Sequence, residues 1–394
     1  YQHRQQSSII LWMFLEALLW QRSVTGFPVR LWSGEAGKRG KRLLNKKKSI
    51  ANTIFLVLIF ALTLYSVFHG EDLPAVLRTI GEVNPWYLIP GTAGVILFIW
   101  GESIIIWYMF GTLDIHEKKR TCFLYSCVGF FFSAVTPSAS GGQPMQIYYM
   151  RKNKIPIPVA TLVLMIVTIT YKSVLVFIGL FVTFFQRGFV HKYLEGILPI
   201  FYLGVALNVG CCVAMSILAF HPALAKWIMM KGLRLLEKSR LMKHKEKRTK
   251  KLADSMEQYK ATAAYFGTHK KVIFNVILIT FFQRFSLFFV TWFVYKAFGL
   301  HGTSIYDVVM LQAVVSVSVD MLPLPGGMGI SENLFLIIFK TVFTAGLLLP
   351  GMVLSRGIAF YVQLLFSATL TLVAHVRIGR GQEETTETCE QQAG

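Results

Sequence analysis

Five ionisable side chains stand inside stretches that are otherwise hydrocarbon. They are Glu102 in "FIWGESIIIW", Lys172 in "TITYKSVLV", Arg284 in "FFQRFSLF", and Asp320 and Glu332 on either side of "MLPLPGGMGIS". A charge at membrane depth is costly, which makes each a candidate for function. The planar guanidinium of Arg284 could clamp a phosphate bidentately. A carboxylate at Glu102, Asp320 or Glu332 could receive a cationic part of a headgroup. Each also has a structural reading. Glu102 could bond or pair between helices, and Lys172 and Arg284 could pair with Glu102 or Asp320. Snorkelling is a weak account of Lys172, thirteen residues (172 − 159) into its apolar window. Glu332 follows "GGMGIS" closely enough for the first turn of a helix, where an acid caps and meets the dipole.

Membrane depth follows from composition. Of 394 residues, 54% are hydrophobic and only 15% charged, with a mean hydropathy of +0.53. Windows at 50–68, 86–113, 159–185, 197–220, 272–298 and 352–376 are long enough to cross a bilayer core. The fold class is therefore all-α, a polytopic integral membrane protein. A net charge of +20 could suggest nucleic acid. Yet residues 226–251 carry eleven Lys/Arg with no interleaved aromatic platform for stacking bases. Basic loops beside spanning helices read instead as the positive-inside signal and as contacts for anionic lipid headgroups. The five cysteines and nine histidines have no metal-ligand spacing, so neither a metal nor a cofactor is expected.

Charge counting orients the windows. "GKRGKRLLNKKK" before residue 50 places that side in the cytoplasm, and 69–85, with one Arg against three acids, lies outside. Residues 116–120 and 151–154 are both basic, yet 122–150 is too short for two spans. A re-entrant hairpin resolves the conflict. Pro137 and Pro144 break the helix at "TPSASGGQP", Gly141 and Gly142 permit a tight turn, and Gln143 faces the cavity such a turn must line. A second hairpin spans 308–346, turning at Pro323, Pro325, Gly326, Gly327 and Gly329 and entering from the opposite face. Pro137 lies 51 residues after Trp86 (137 − 86), and Pro323 lies 51 after Val272 (323 − 272). Corresponding Gly/Pro-interrupted segments in two halves mark an inverted-repeat transporter. The expected fold is about six full spans plus two oppositely oriented hairpins. The divisions are a basic cytoplasmic segment 1–49, a membrane half 50–221, a basic cytoplasmic loop 222–271, a membrane half 272–376 and a cytoplasmic tail 377–394. Residues 1–12 read as part of an interfacial helix or as a stretch upstream of a start at Met13.

At "TPSASGGQPMQIYYMRK" and "LPLPGGMGISE" the chain resembles the lysylphosphatidylglycerol synthase transmembrane family, the flippase-like membrane domain of multiple peptide resistance factors. Gln143 stands where many relatives carry an acidic residue. The resemblance implies movement of an aminoacylated phosphatidylglycerol between leaflets of a bacterial plasma membrane, and with it resistance to cationic antimicrobial peptides. It implies membrane phospholipids as partners. Glu102, Gln143, Lys172, Arg284, Asp320 and Glu332, charged or polar residues within the spans and broken turns, are the substrate-binding candidates, and no catalytic residue is expected. "GQEETTETCEQQAG" leaves no room for the soluble synthase domain of full-length members, so a separate synthase is expected to supply the lipid. A homo-oligomer is left open. The alternatives are a membrane-embedded transferase of the phosphatidylglycerol lysyltransferase type and a flippase for a polyprenyl-linked glycolipid. Against an enzyme, no nucleophile–base pair, metal cluster or phosphate-binding loop stands out.

Overall fold

The computed structural model describes residues 73–136, 139–221, 246–322 and 329–380, together with Ala223, Leu224, Trp227 and Lys231. The expected span at 50–68, the N-terminal segment, and turn residues Pro137, Pro323, Pro325, Gly326 and Gly327 lie outside these residues. So do most of 222–245 and all of 381–394.

The described residues are helical, with no strand among them. In chain order they form α1 (Leu73–Gly81), α2 (Leu88–Thr112), α3 (Lys119–Ala134), α4 (Gly142–Lys152), α5 (Ile157–Phe185), α6 (Arg187–Tyr193) and α7 (Leu198–Phe220). Then follow α8 (Glu246–Thr268), α9 (Lys270–Ala297), α10 (Ile305–Val319), α11 (Ile330–Ile338), α12 (Ala345–Arg356) and, after a π turn at Gly357–Val362, α13 (Gln363–Arg380). Local chemistry sets several starts. The Asn84 side chain accepts from Trp86 N at 3.1 Å before α2, and Ser304 accepts from Asp307 N at 3.1 Å to open α10. Prolines in the first turns of α5 and α7 forfeit no intrahelical bond.

Among the described residues, five helices are long and apolar enough to cross a membrane: Pro85–Thr112, Ile157–Phe185, Glu195–Phe220, Lys270–Ala297 and Ala345–His375. Four match the expected windows within two residues. The fifth begins seven residues early (352 − 345), running through Pro350. That proline sits near the helix start, where it costs one backbone bond, and the chain continues helical. The return arm of the second hairpin is correspondingly shorter than expected, ending at Ile338 and a single 3-10 turn, Phe339–Thr341.

The segment read as a basic loop contains a 23-residue helix, α8. Its apolar residues Met256, Tyr259, Ala263 and Phe266 recur at helical spacing and are buried against the bundle. Burial pushes the Tyr259 phenol up to about 12, and its hydroxyl donates to Leu218 O at 2.9 Å. Hydropathy averaging missed this face because lysines surround it.

The closest helix pair is α2 with α9, running antiparallel. A Cβ added at Gly94 would lie 2.7 Å from Ser286 O, and one at Gly101 would lie 2.7 Å from Gln283 Cγ. Small residues thus let the two backbones approach, the usual device where lipid gives no hydrophobic drive for association. Further along, Asn275 Nδ2 donates to Tyr108 OH at 3.0 Å. The end of α2 therefore lies beside the start of α9, on the side where α8 docks.

Both hairpins close back on the end from which they start. Asn153 Nδ2, just after α4, donates to Tyr125 OH in α3 at 2.6 Å, and Tyr149 OH lies 3.4 Å from His375 Nδ1 of α13. The basic stretches 116–120 and 151–154 therefore share one end of the bundle with α8. The second hairpin starts and finishes at the other end, where Phe343 packs edge-on against Tyr295 and Phe298 at the close of α9. The packing also pairs the halves crosswise. Hairpin helix α3 lies on α13 of the second half, and α10 lies on α5 and α7 of the first.

Candidate functional site

The turn of the first hairpin is held by Thr136. Its Oγ1 donates to Phe132 O at 2.6 Å and accepts from Gly141 N at 2.9 Å. The expected turn included Gly142 and Pro144, but both lie in the first turn of α4. Pro144 is tolerated there because its missing N–H has no partner to lose. Gly141 has an ordinary φ of −84°, so conformational freedom is not what the glycine pair supplies. The requirement is space. A Cβ at Gly142 would stand 2.0 Å from Ser133 Oγ and 2.6 Å from Gly129 O. The second turn differs, since Gly329 has φ +84°, a backbone that L side chains rarely adopt.

One arm of each hairpin reaches the middle of α5, through Gln143 and Asp320, and the two contacts lie within about one helical turn of each other. Gln143 Nε2 donates to Thr168 Oγ1. Asp320, at the end of α10, accepts from Tyr171 OH and pairs with Lys172 Nζ, whose other contact is Met321 Sδ at 2.9 Å. The Lys172–Asp320 pair is buried, with 9% and 12% of the two side chains exposed. Arg284 of α9 lies over the other face of this cluster, its guanidinium carbon 4.2 Å from the Tyr171 ring centroid and 5.6 Å from that of Phe98. It is 5% exposed. Its Nε has no hydrogen-bond partner, and among the described residues no carboxylate comes within ion-pairing distance of it.

Of the two buried cations, Lys172 has a carboxylate within ion-pairing distance, Asp320, whereas the Arg284 guanidinium meets the Tyr171 hydroxyl and aromatic rings. Aromatic faces attract a guanidinium, but they do not neutralise it. An uncompensated charge in the interior is costly and is best offset by an anion.

Glu102 belongs beside this cluster, one turn along α2 from Phe98, and accepts from Gln146 Nε2 of α4 at 2.7 Å. Glu332 does not join it. Its Oε2 accepts from Gly329 N at 2.7 Å, and its Oε1 accepts from Arg356 Nε at 2.8 Å. The capping alternative is what the geometry displays, with an ion pair added from the end of α12. Replacement of Glu332 by Gln should therefore lower the melting temperature of the purified protein. An unchanged melting temperature would overturn the capping role.

Tyr171, Thr168, Gln146 and Arg356 were not picked out as site residues from the sequence. Gln146 could have been found, because Pro137 and Pro323 are 186 apart and the same offset carries Gln146 to Glu332 (332 − 146). Tyr171 gave no signal beyond adjacency to Lys172.

A bundle of long apolar helices with two opposed, broken hairpins meeting at one buried polar cluster defines a multi-pass, all-α membrane protein. Residues 52–367 match the family described as the lysylphosphatidylglycerol synthase TM region, and the chain belongs to that family. It is also 28% identical over 113 residues to the uncharacterized protein MG306 homolog of Mycoplasma pneumoniae, a stretch covering 27% of this chain and 28% of the relative. The chain thus spans under a third of that relative's length. Family membership points to a membrane-lipid-related function, and that relative's description adds no substrate.

Proposed function

We propose that the chain moves an anionic phospholipid between leaflets, with the lipid phosphate received by Arg284 where the two hairpin tips meet. The observation that supports this reading best is the buried guanidinium with no described carboxylate beside it. Tips that enter from opposite ends and converge on the middle of α5 also suit a substrate position near the membrane midplane. An aminoacyl-phosphatidylglycerol fits as substrate because Glu102, one turn along α2 from Phe98, is a carboxylate free to meet an amine, while Asp320 is already held by Lys172. Such movement would protect a bacterial plasma membrane from cationic peptides by placing positive headgroups outside. The purified protein in vesicles of phosphatidylcholine, carrying trace fluorescent phosphatidylglycerol or its lysyl ester, tests the proposal. Dithionite should quench the inner-leaflet probe as it emerges, faster than in protein-free vesicles and faster than for a fluorescent phosphatidylcholine. Equal rates for all three lipids, or no rate above the protein-free control, would overturn it.

A further inference from the structure

A second feature lies outside the central cluster, on the lipid-facing side of the bundle. A cavity of about 560 Å³ opens between α2, α3 and α13. Its walls are apolar, with Leu97 and Trp100 from α2, Phe123 from α3 and Leu370 from α13 among them, and its only charged lining residues are Lys119 and Arg120. Leu97 and Trp100 are about half exposed, so the cavity faces outward. The two cations occupy one end, at the first turn of α3, on the side of the bundle where α8 docks. Lys119 Nζ rests 4.3 Å from the Trp107 ring centroid, an arrangement suited to headgroup level. Lys118, the residue capping α3, makes no side-chain cap bond, and the first turn holds no acid. The Glu117 carboxylate, just before the helix, is taken up by the Lys118 backbone N–H.

We infer that this groove holds one acyl chain of an anionic glycerophospholipid from the leaflet on the α8 side, with the phosphate on Lys119 and Arg120. Charge complementarity selects the occupant. A neutral alkyl ligand would leave the two cations idle, and a soluble anion would leave the apolar walls unused. No acidic side chain lines the groove to compete. The volume lies within the range that encloses small ligands, which suits one chain and not a protein segment. The groove would then collect anionic lipid at the surface of the bundle before it reaches Arg284. The ligand class is taken from the transport reading above, but occupancy is measurable without transport.

The test uses the full chain in phosphatidylcholine nanodiscs with trace phosphatidylglycerol bearing a diazirine on one acyl chain, and in a second arm the same chain on phosphatidylcholine. After irradiation, adducts should map to 96–100, 123–124 and 370–373, with the phosphatidylglycerol probe favoured. The double substitution Lys119→Gln/Arg120→Gln removes two exposed cations and should lower that yield by about tenfold, on the usual strength of basic residues near anionic lipid. Leu370→Trp should block the adducts while leaving the cations in place; if that variant fails to fold, the double substitution still decides. Equal labelling by the two probes, or a yield unchanged by the double substitution, would overturn the inference. Adducts that persist while the vesicle assay shows no lipid movement would uphold the groove and remove the transport reading.

Discussion

Replacing Arg284 with methionine should stabilise the fold while abolishing movement of anionic lipid. The two effects have one cause. In the protein alone, the guanidinium is buried with its Nε unpartnered, and removing an uncompensated buried charge relieves a cost of about 1 kcal/mol or more. With the lipid phosphate in place, the same charge becomes the main attraction at the tips. Arg284→Lys is the finer probe. It keeps the charge but loses the planar fork and the stacking on Tyr171, whose ring centroid lies 4.2 Å away. Losing one charge-assisted hydrogen bond of about 1.5–3 kcal/mol corresponds to roughly a ten- to hundredfold slower rate. Thermal melts in detergent and the dithionite assay read the two effects separately. If Arg284→Met lowers the melting temperature, the guanidinium has a structural partner and the phosphate assignment fails.

Much of this architecture was legible in the sequence, for a physical reason. A bilayer demands about 20 consecutive apolar residues per span and satisfied backbone everywhere else, so windows and breaks stand out from hydropathy alone. The two Pro/Gly tips were visible because nothing else tolerates such residues at that depth. Boundaries were less legible. The last window is read from residue 352, yet α12 starts at Ala345 and runs through Pro350, since a proline near a helix start loses one backbone bond. Polar helix α8 was invisible because its lysines mask four apolar residues at helical spacing.

The site was legible as a set of residues and not as a set of pairings. Rarity alone picked out Glu102, Lys172, Arg284 and Asp320, because each is a charge within or at the edge of hydrocarbon. Which cation takes Asp320 depends on the register of α10 against α5, and no spacing encodes that. The pairing of Glu332 with Arg356 is hidden for the same reason, since it joins the start of α11 to the end of α12. The glycines show a related limit. Sequence suggests conformational freedom, whereas at Gly142 the decisive quantity is the 2.0 Å to Ser133 Oγ that a Cβ would leave.

Neutralising Asp320 and neutralising Lys172 should have unequal consequences, although the two form one ion pair. Asp320→Asn leaves Lys172 without the carboxylate it pairs with and Arg284 with none in ion-pairing distance, and breaking a buried pair in this way costs about 3–5 kcal/mol. Lys172→Met leaves Asp320 with the Tyr171 hydroxyl and with Arg284 lying over the same tyrosine ring, so Arg284 can turn to the freed carboxylate. Its melting temperature should fall much less. Transport should follow the opposite order of protection. Lys172→Met frees Asp320 to engage Arg284, so the guanidinium is no longer open to an anionic lipid. The double variant Lys172→Met/Asp320→Asn restores one free guanidinium. It should therefore melt above Asp320→Asn and move phosphatidylglycerol faster than Lys172→Met. Such a sign reversal, in which a second substitution rescues the first, separates charge balance from simple loss of packing. If the two single variants melt alike and the double variant is as slow as Lys172→Met, Arg284 does not share Asp320 and this account of the cluster fails.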